Sequence, residues 1–199
     1  MTRTADRAAQ EAQLSQAVWD VLAHRGIEHL TIRAVAAAAG CTTGLVMHRF
    51  PNRRSLLLHA RRLLHERTCA RVEELEARAA GPREALRAIL RQGLALDEEL
   101  RSESIVWMGF LAAAVGDEEL IALHRTNNRA WRERVTRLVS AAAPRWPAER
   151  AATVALALIA MAEGVAALAS ADPAGYPPDV QEQLLDATLT AFDLARAYE

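Results

Sequence analysis

A chain of 199 residues that is 51% hydrophobic and 25% charged can bury a sizeable core, which excludes an extended disordered protein. All 24 basic residues are arginine, and they are unevenly spread: residues 1–65 hold nine against four acids, a local +5, and the remainder carries −6. The overall charge of −1 says nothing about nucleic acid, but a basic head on an acidic body fits a head that meets phosphate.

The two cysteines, Cys41 and Cys69, form no Cys-x-x-Cys pair, which argues against a disulfide framework and for a reducing compartment. No apolar secretory run opens the chain, so a cytoplasmic location is expected.

Apolar residues recur at helical spacing along almost the whole chain, and no segment alternates as a strand does. Leu14, Ala17, Val18, Val21 and Leu22 line one face of a first helix over residues 7–25, stopped by Gly26. Thr31 can cap a short helix over 32–39, which Gly40 breaks. Thr42 can cap a third helix ending near Arg49, before Pro51. Asn52 can cap a long connector over 53–79, ended by Gly81-Pro82. Further helices are expected over 83–100, 103–115, 118–142, 148–171 and 179–197, separated by Gly116-Asp117 and two proline-containing loops. The fold class is therefore all-α: a three-helix head over residues 1–52 and a helical bundle over 53–199. The Ala151–Ala171 stretch has the length of a membrane span, but it is mostly alanine and Glu163 interrupts it, so a buried bundle helix and no membrane partner are expected.

The segment Leu30–Leu57 carries the functional signal. Two short helices around a glycine turn make a helix-turn-helix, with Ile32, Val35, Ala36, Val46 and Phe50 available as a mini-core and Cys41 as a small plug. The third helix then offers Thr42, Thr43, Gly44, Leu45, Met47, His48 and Arg49 to a major groove, although Leu45 and Met47 could equally turn inward and pack. The run Ala39-Gly40-Cys41-Thr42, Val46, His48-Arg49-Phe50, Pro51-Asn52-Arg53 resembles the TetR family of bacterial regulators in order and spacing. Met47 stands where that family usually has a tyrosine, and Arg53 where it usually has a lysine. The resemblance implies phosphate contacts from Thr42, His48 and Arg53, with Arg33 as a further candidate, and base contacts from Thr43 and Leu45. It also implies double-stranded DNA as partner and a palindromic operator bound by a dimer.

The body resembles the family's choline-sensing, BetI-like branch through Trp107–Trp131 and Met161-Ala162-Glu163-Gly164. The resemblance implies a repressor released by a small-molecule effector and a homodimer through the last two helices. There Ala157, Ala160, Gly164 and Ala167 allow close approach, and Leu156, Leu168, Leu184, Leu185 and Leu189 supply area. Candidate effector-binding residues are Trp107, Met108, Phe110, Leu111, His124, Asn127, Asn128, Trp131, Met161 and Glu163, a set suited to a cationic or aromatic ligand. Several of these also fit an ordinary helical core.

No phosphate loop, nucleophile elbow or zinc-protease helix is present in the sequence, so neither an enzyme nor a cofactor is expected. His65 and Cys69 share a helix face, but two ligands make no metal site. A helical ligand-binding or redox-sensing protein, with Cys41 in the turn, is the alternative function.

Overall fold

The computed structural model describes residues 2–195, with side chains from Ala8 onward. Nine α-helices and one 3-10 turn account for the regular structure among the described residues, and no strand occurs there. They are α1 Thr2–Arg25, the 3-10 turn Ile27–His29, α2 Ile32–Ala38, α3 Thr43–Arg49, α4 Arg53–Arg78, α5 Pro82–Arg91, α6 Glu98–Ala114, α7 Glu118–Ala142, α8 Ala148–Ala171 and α9 Pro178–Ala191. The all-α class expected from the sequence is what the chain adopts.

The chain forms two compact units: residues 1–67 with 105–123, and residues 68–104 with 124–199. The expected head of residues 1–52 is thus part of a larger unit, which also holds the first half of α4 and the segment Ile105–Leu123.

In the first unit, the five apolar residues read onto one face of α1 are all buried, together with Trp19, Val35, Val46, Phe50, Leu56, Val106 and Phe110. Arg67 lies over the Trp19 ring, 4.2 Å from its centroid, and closes the top of α1 against α4. Gly109 of α6 faces the 3-10 turn so closely that a Cβ there would stand 3.2 Å from Ile27 Cβ. On α7, Leu120 seals the same core.

In the second unit, α5 buries Ala85, Leu86, Ile89 and Leu90 against Leu158 of α8 and Leu185 and Leu189 of α9. Each fully buried leucine or isoleucine side chain contributes about 1.5–3 kcal/mol. Two ion pairs tie α5 to α9 outside that core: Arg87 grips both oxygens of Asp186 at 2.6 and 2.9 Å, and Arg91 Nε donates to Glu182 at 2.6 Å. The apolar α8 is long enough to cross a membrane by length and composition, but nine of its side chains belong to the interior of this unit.

Three helix boundaries differ from the sequence expectation, each for a local reason. Residues 83–100 are not one helix: α5 ends at Arg91, and Asp97 caps α6 by accepting from the Leu100 N–H at 2.9 Å. The intervening loop is viable because buried Gln181 serves both backbone groups of Ala95, accepting from its N–H at 2.9 Å and donating to its carbonyl at 3.1 Å. α6 accordingly starts at Glu98, not at residue 103.

The last helix stops at Ala191, short of residue 197, whose final residues lie outside those described. Asp193 takes a left-handed conformation, φ 55°, and the Leu194 N–H returns to the Leu189 carbonyl at 2.8 Å while its side chain is buried. Arg83 then donates to the freed carbonyls of Asp193 and Ala195 at 2.7 and 2.8 Å.

Candidate nucleic-acid interface

The head is assembled by caps. Thr31 Oγ1 accepts from the Ala34 N–H at 3.1 Å and starts α2. The helix ends in a double return: Cys41 N–H donates to the Ala36 carbonyl and Gly40 N–H to that of Ala37, at 3.0 and 3.3 Å. This geometry needs a left-handed residue, which Gly40 supplies with φ 61°. Thr42 Oγ1 accepts from the Leu45 N–H at 3.3 Å and starts α3. Asn52 and Ser55 cap α4 reciprocally, Asn52 Oδ1 accepting from Ser55 N–H at 2.9 Å and Ser55 Oγ from Asn52 N–H at 3.3 Å. From α1, Gln13 donates to the Ala39 carbonyl at 2.7 Å and pins the turn.

Val35, Ala36, Val46 and Phe50 fill the space between α2 and α3, with Ile32 packed at its edge and Cys41 half-buried. Fixing these inward residues sends the rest of α3 outward. Thr42, Thr43, Gly44, His48 and Arg49 are exposed, as is Arg33 on α2. Met47 is 54% exposed, whereas Leu45 is half-buried, so the two residues left open by the sequence part ways.

Three arginines around this face have internal partners. Arg49 approaches Glu11 at 3.8 Å and lies over the Phe50 ring. Arg53 Nη2 donates to the Ile27 carbonyl at 2.7 Å, leaving its other N–H donors for a second acceptor. Arg54 pairs with Asp117 at 2.6 Å and Glu119 at 3.5 Å.

Sequence reasoning missed Gln13, Arg54 and His59. The tandem Arg53-Arg54 after a capping asparagine was the available signal for Arg54. Nothing local marks the other two, whose partners lie 26 and 44 positions away.

His59 joins α4 to α1, with Nε2 2.9 Å from Ser15 Oγ and its ring 4.9 Å from that of Phe50. Burial, with Arg62 and Arg49 nearby, lowers its pKa to about 4 against an opposing pull from Glu11. The folded head therefore refuses a proton that the unfolded chain accepts below about 6.5. Stability attributable to His59 is present above pH 6.5 and is lost as pH falls from 6.5 toward 4. Urea unfolding across that window should show a shallower pH dependence in His59→Gln than in the wild type, and equal slopes would exclude His59 as the source.

The expected effector residues divide between the units. Trp107 and Phe110 stack in the first unit, centroids 6.5 Å apart and planes 13° apart, beneath the guanidinium of buried Arg61. Leu111 is half-buried on the same helix. In the second unit, Trp131 and Met161 pack against the core, and His124, Asn127, Asn128 and Glu163 are half-buried. That unit also has an open cleft of about 280 Å³, lined by Arg71, Leu75, Arg91, Gln92, Asp97 and Glu99. None of the ten residues singled out from the sequence lines this cleft.

Residues 14–60 match the family model for bacterial regulatory proteins of the tetR family, and residues 82–193 match that for the C-terminal region of BetI-type transcriptional repressors. The chain belongs to the TetR family. This TetR-family chain is a DNA-binding transcriptional regulator of BetI type, and its family is one of regulators rather than enzymes.

It is 31% identical to the regulator PksA of Bacillus subtilis over 57% of its own length and 56% of that protein's. It is 28% identical to BetI of Paraburkholderia phytofirmans over 80% of its length and 82% of BetI's. A crystal structure of a transcriptional regulator from Rhodococcus sp. Rha1 superposes with a TM-score of 0.83 at 31% identity, covering 90% of this TetR-family chain and 94% of the other. A regulator from Saccharomonospora viridis in complex with choline shares the fold, with a TM-score of 0.85 at 19% identity over 92% and 96% of the two chains.

Proposed function

We propose that this regulator is a repressor that binds a palindromic operator as a symmetric dimer and leaves it when a small molecule binds the body. The observation that carries the reading is the capped α3, whose inward residues are locked in the mini-core while Thr43, Met47 and His48 face outward. Thr42, Arg49, Arg53 and Arg33 flank that face as phosphate contacts, and Leu45 at its edge offers an apolar surface to a thymine methyl. Gly44 keeps the face low enough for the backbone to approach the duplex.

A second copy of the chain is the proposed occupant of the exposed stripe on α8 and α9. Leu156, Ala157, Ala160, Gly164 and Leu168 lie along α8 at three- and four-residue spacing, and Leu184 and Ala187 lie exposed on α9. Leu185 and Leu189 do not join this stripe, because both are buried in the chain's own core. The effector proposed is cationic or aromatic, with Trp131 and Glu163 of the second unit as candidate contacts. The choline complex of the Saccharomonospora relative and the BetI-type match of residues 82–193 support that class. The regulator works in the cytoplasm, where its DNA lies.

Selection of DNA from a random duplex pool tests the reading. Enrichment of an inverted repeat is the expected outcome, and failure to enrich any palindrome would sink it. In the enriched site, Arg53→Ala should weaken binding to all sequences and lower the slope of log affinity against log salt by about 1. A slope equal to that of the wild type would remove Arg53 from the contacts.

A further inference from the structure

Arg54 stands beside Arg53 at the start of α4, on the basic head, yet its guanidinium is turned to the elbow between α6 and α7. Nη2 lies 2.6 Å from Asp117 Oδ2 and Nη1 3.5 Å from Glu119 Oε2. The two oxygens of Asp117 have separate duties. Oδ1 caps α7 by accepting from the N–H groups of Glu119 and Leu120 at 3.1 and 3.2 Å. A cap needs no more than that, and acids in a first helical turn are favourable without any partner. Oδ2 is nonetheless aimed at Arg54. The Leu120 hydrogen bond above all, then Arg54 itself, holds the carboxyl below its ordinary range.

The arginine is half-exposed, and an ion pair this open to solvent is weak and readily exchanged for another anion. Arg53 donates to an uncharged carbonyl, that of Ile27, whereas Arg54 is matched by opposite charge.

We propose that Asp117 and Glu119 form an autoinhibitory counter-charge that withholds Arg54 from DNA phosphate and lowers the protein's affinity for duplex DNA of any sequence. The inference rests on the head binding DNA and adds a contact that the resting protein holds back. Each phosphate neutralised steepens the salt dependence of binding by about 0.9 in log–log slope. Freeing Arg54 therefore has a signature in slope as well as in affinity.

Fluorescence anisotropy with a mixed-sequence duplex across a salt series tests this. Asp117→Asn keeps the cap, since asparagine caps as well as aspartate, and Glu119→Gln alters one exposed side chain. The double variant should bind roughly threefold to tenfold more tightly at low salt, with a slope steeper by about 0.9. Adding Arg54→Ala to it should cancel both gains, while Arg54→Ala alone should leave the wild-type slope in place. An unchanged slope in the double variant overturns the proposal. So does a steepening that survives Arg54→Ala, because the gain would then come from lost negative charge in general. Wild-type protein that binds no duplex overturns the DNA-binding reading as well, an outcome distinct from normal wild-type binding with an unresponsive slope.

Discussion

Phe50→Ala is expected to abolish duplex binding and to cost the head about 3–5 kcal/mol. Phe50 is the residue on which three elements of the head agree. It is 3% exposed, its N–H ends α3 by donating to the Val46 carbonyl at 2.7 Å, and its ring meets His59 of α4 at 4.9 Å. Arg49 covers the outer side of the ring. Truncation removes buried aromatic area and leaves a void between the reading helix and the connector, where packing cannot close because both helices are capped in place. Urea unfolding followed by circular dichroism gives the stability loss, and anisotropy gives the binding. Phe50→Leu keeps most of the volume and should retain most of both. A Phe50→Ala protein with wild-type stability would mean that the capping network alone sets the angle of α3.

The second large effect belongs to Glu103→Ala, expected to destabilise the second unit by about 3 kcal/mol. Glu103 is 5% exposed and accepts two bonds from one guanidinium, Arg71 Nη2 to Oε1 at 2.6 Å and Nη1 to Oε2 at 3.2 Å. Burial works against the charge on Arg71, but the Glu103 hydrogen bond and charge outweigh it and lift the pKa above its ordinary value, with smaller help from Glu99 and Asp97. Taking Glu103 away leaves that partly buried cation to the weaker help of the exposed Glu99 at 3.3 Å and of Asp97. Replacing both partners by methionine removes the charges together and should fall much closer to the wild type. Chemical denaturation of the two variants makes the comparison. Equal losses would show that the site needs the carboxylate for shape and not for charge.

Much of the head is legible in the amino-acid sequence, because its information is local. Thr31, Gly40, Thr42, Pro51 and Asn52 are cap and turn residues whose chemistry acts within four positions of themselves. The mini-core follows from helical spacing, and all but Ile32 of its five residues are buried. What stays hidden depends on partners far along the chain. The loop between α5 and α6 is stabilised by Gln181, 86 positions away from Ala95. The end of α9 depends on an aspartate in a left-handed conformation, where a glycine would have announced itself. For the same reason the effector residues resist assignment. Trp107 and Phe110 look alike on a helical wheel whether they line a ligand or stack under Arg61. Leu185 and Leu189 likewise share the periodicity of the exposed Leu184 stripe without sharing its face.

Gly109 gives the head a mechanical reference point. The side chain it nearly touches belongs to Ile27, whose carbonyl holds the Arg53 guanidinium. A single methyl group at position 109 would act as a shim, pressing on the 3-10 turn and shifting the hydrogen-bond acceptor that aims Arg53. If Arg53 holds phosphate as proposed, the strength of that hold is adjustable from α6 by one carbon atom, through a residue that is not among the proposed contacts.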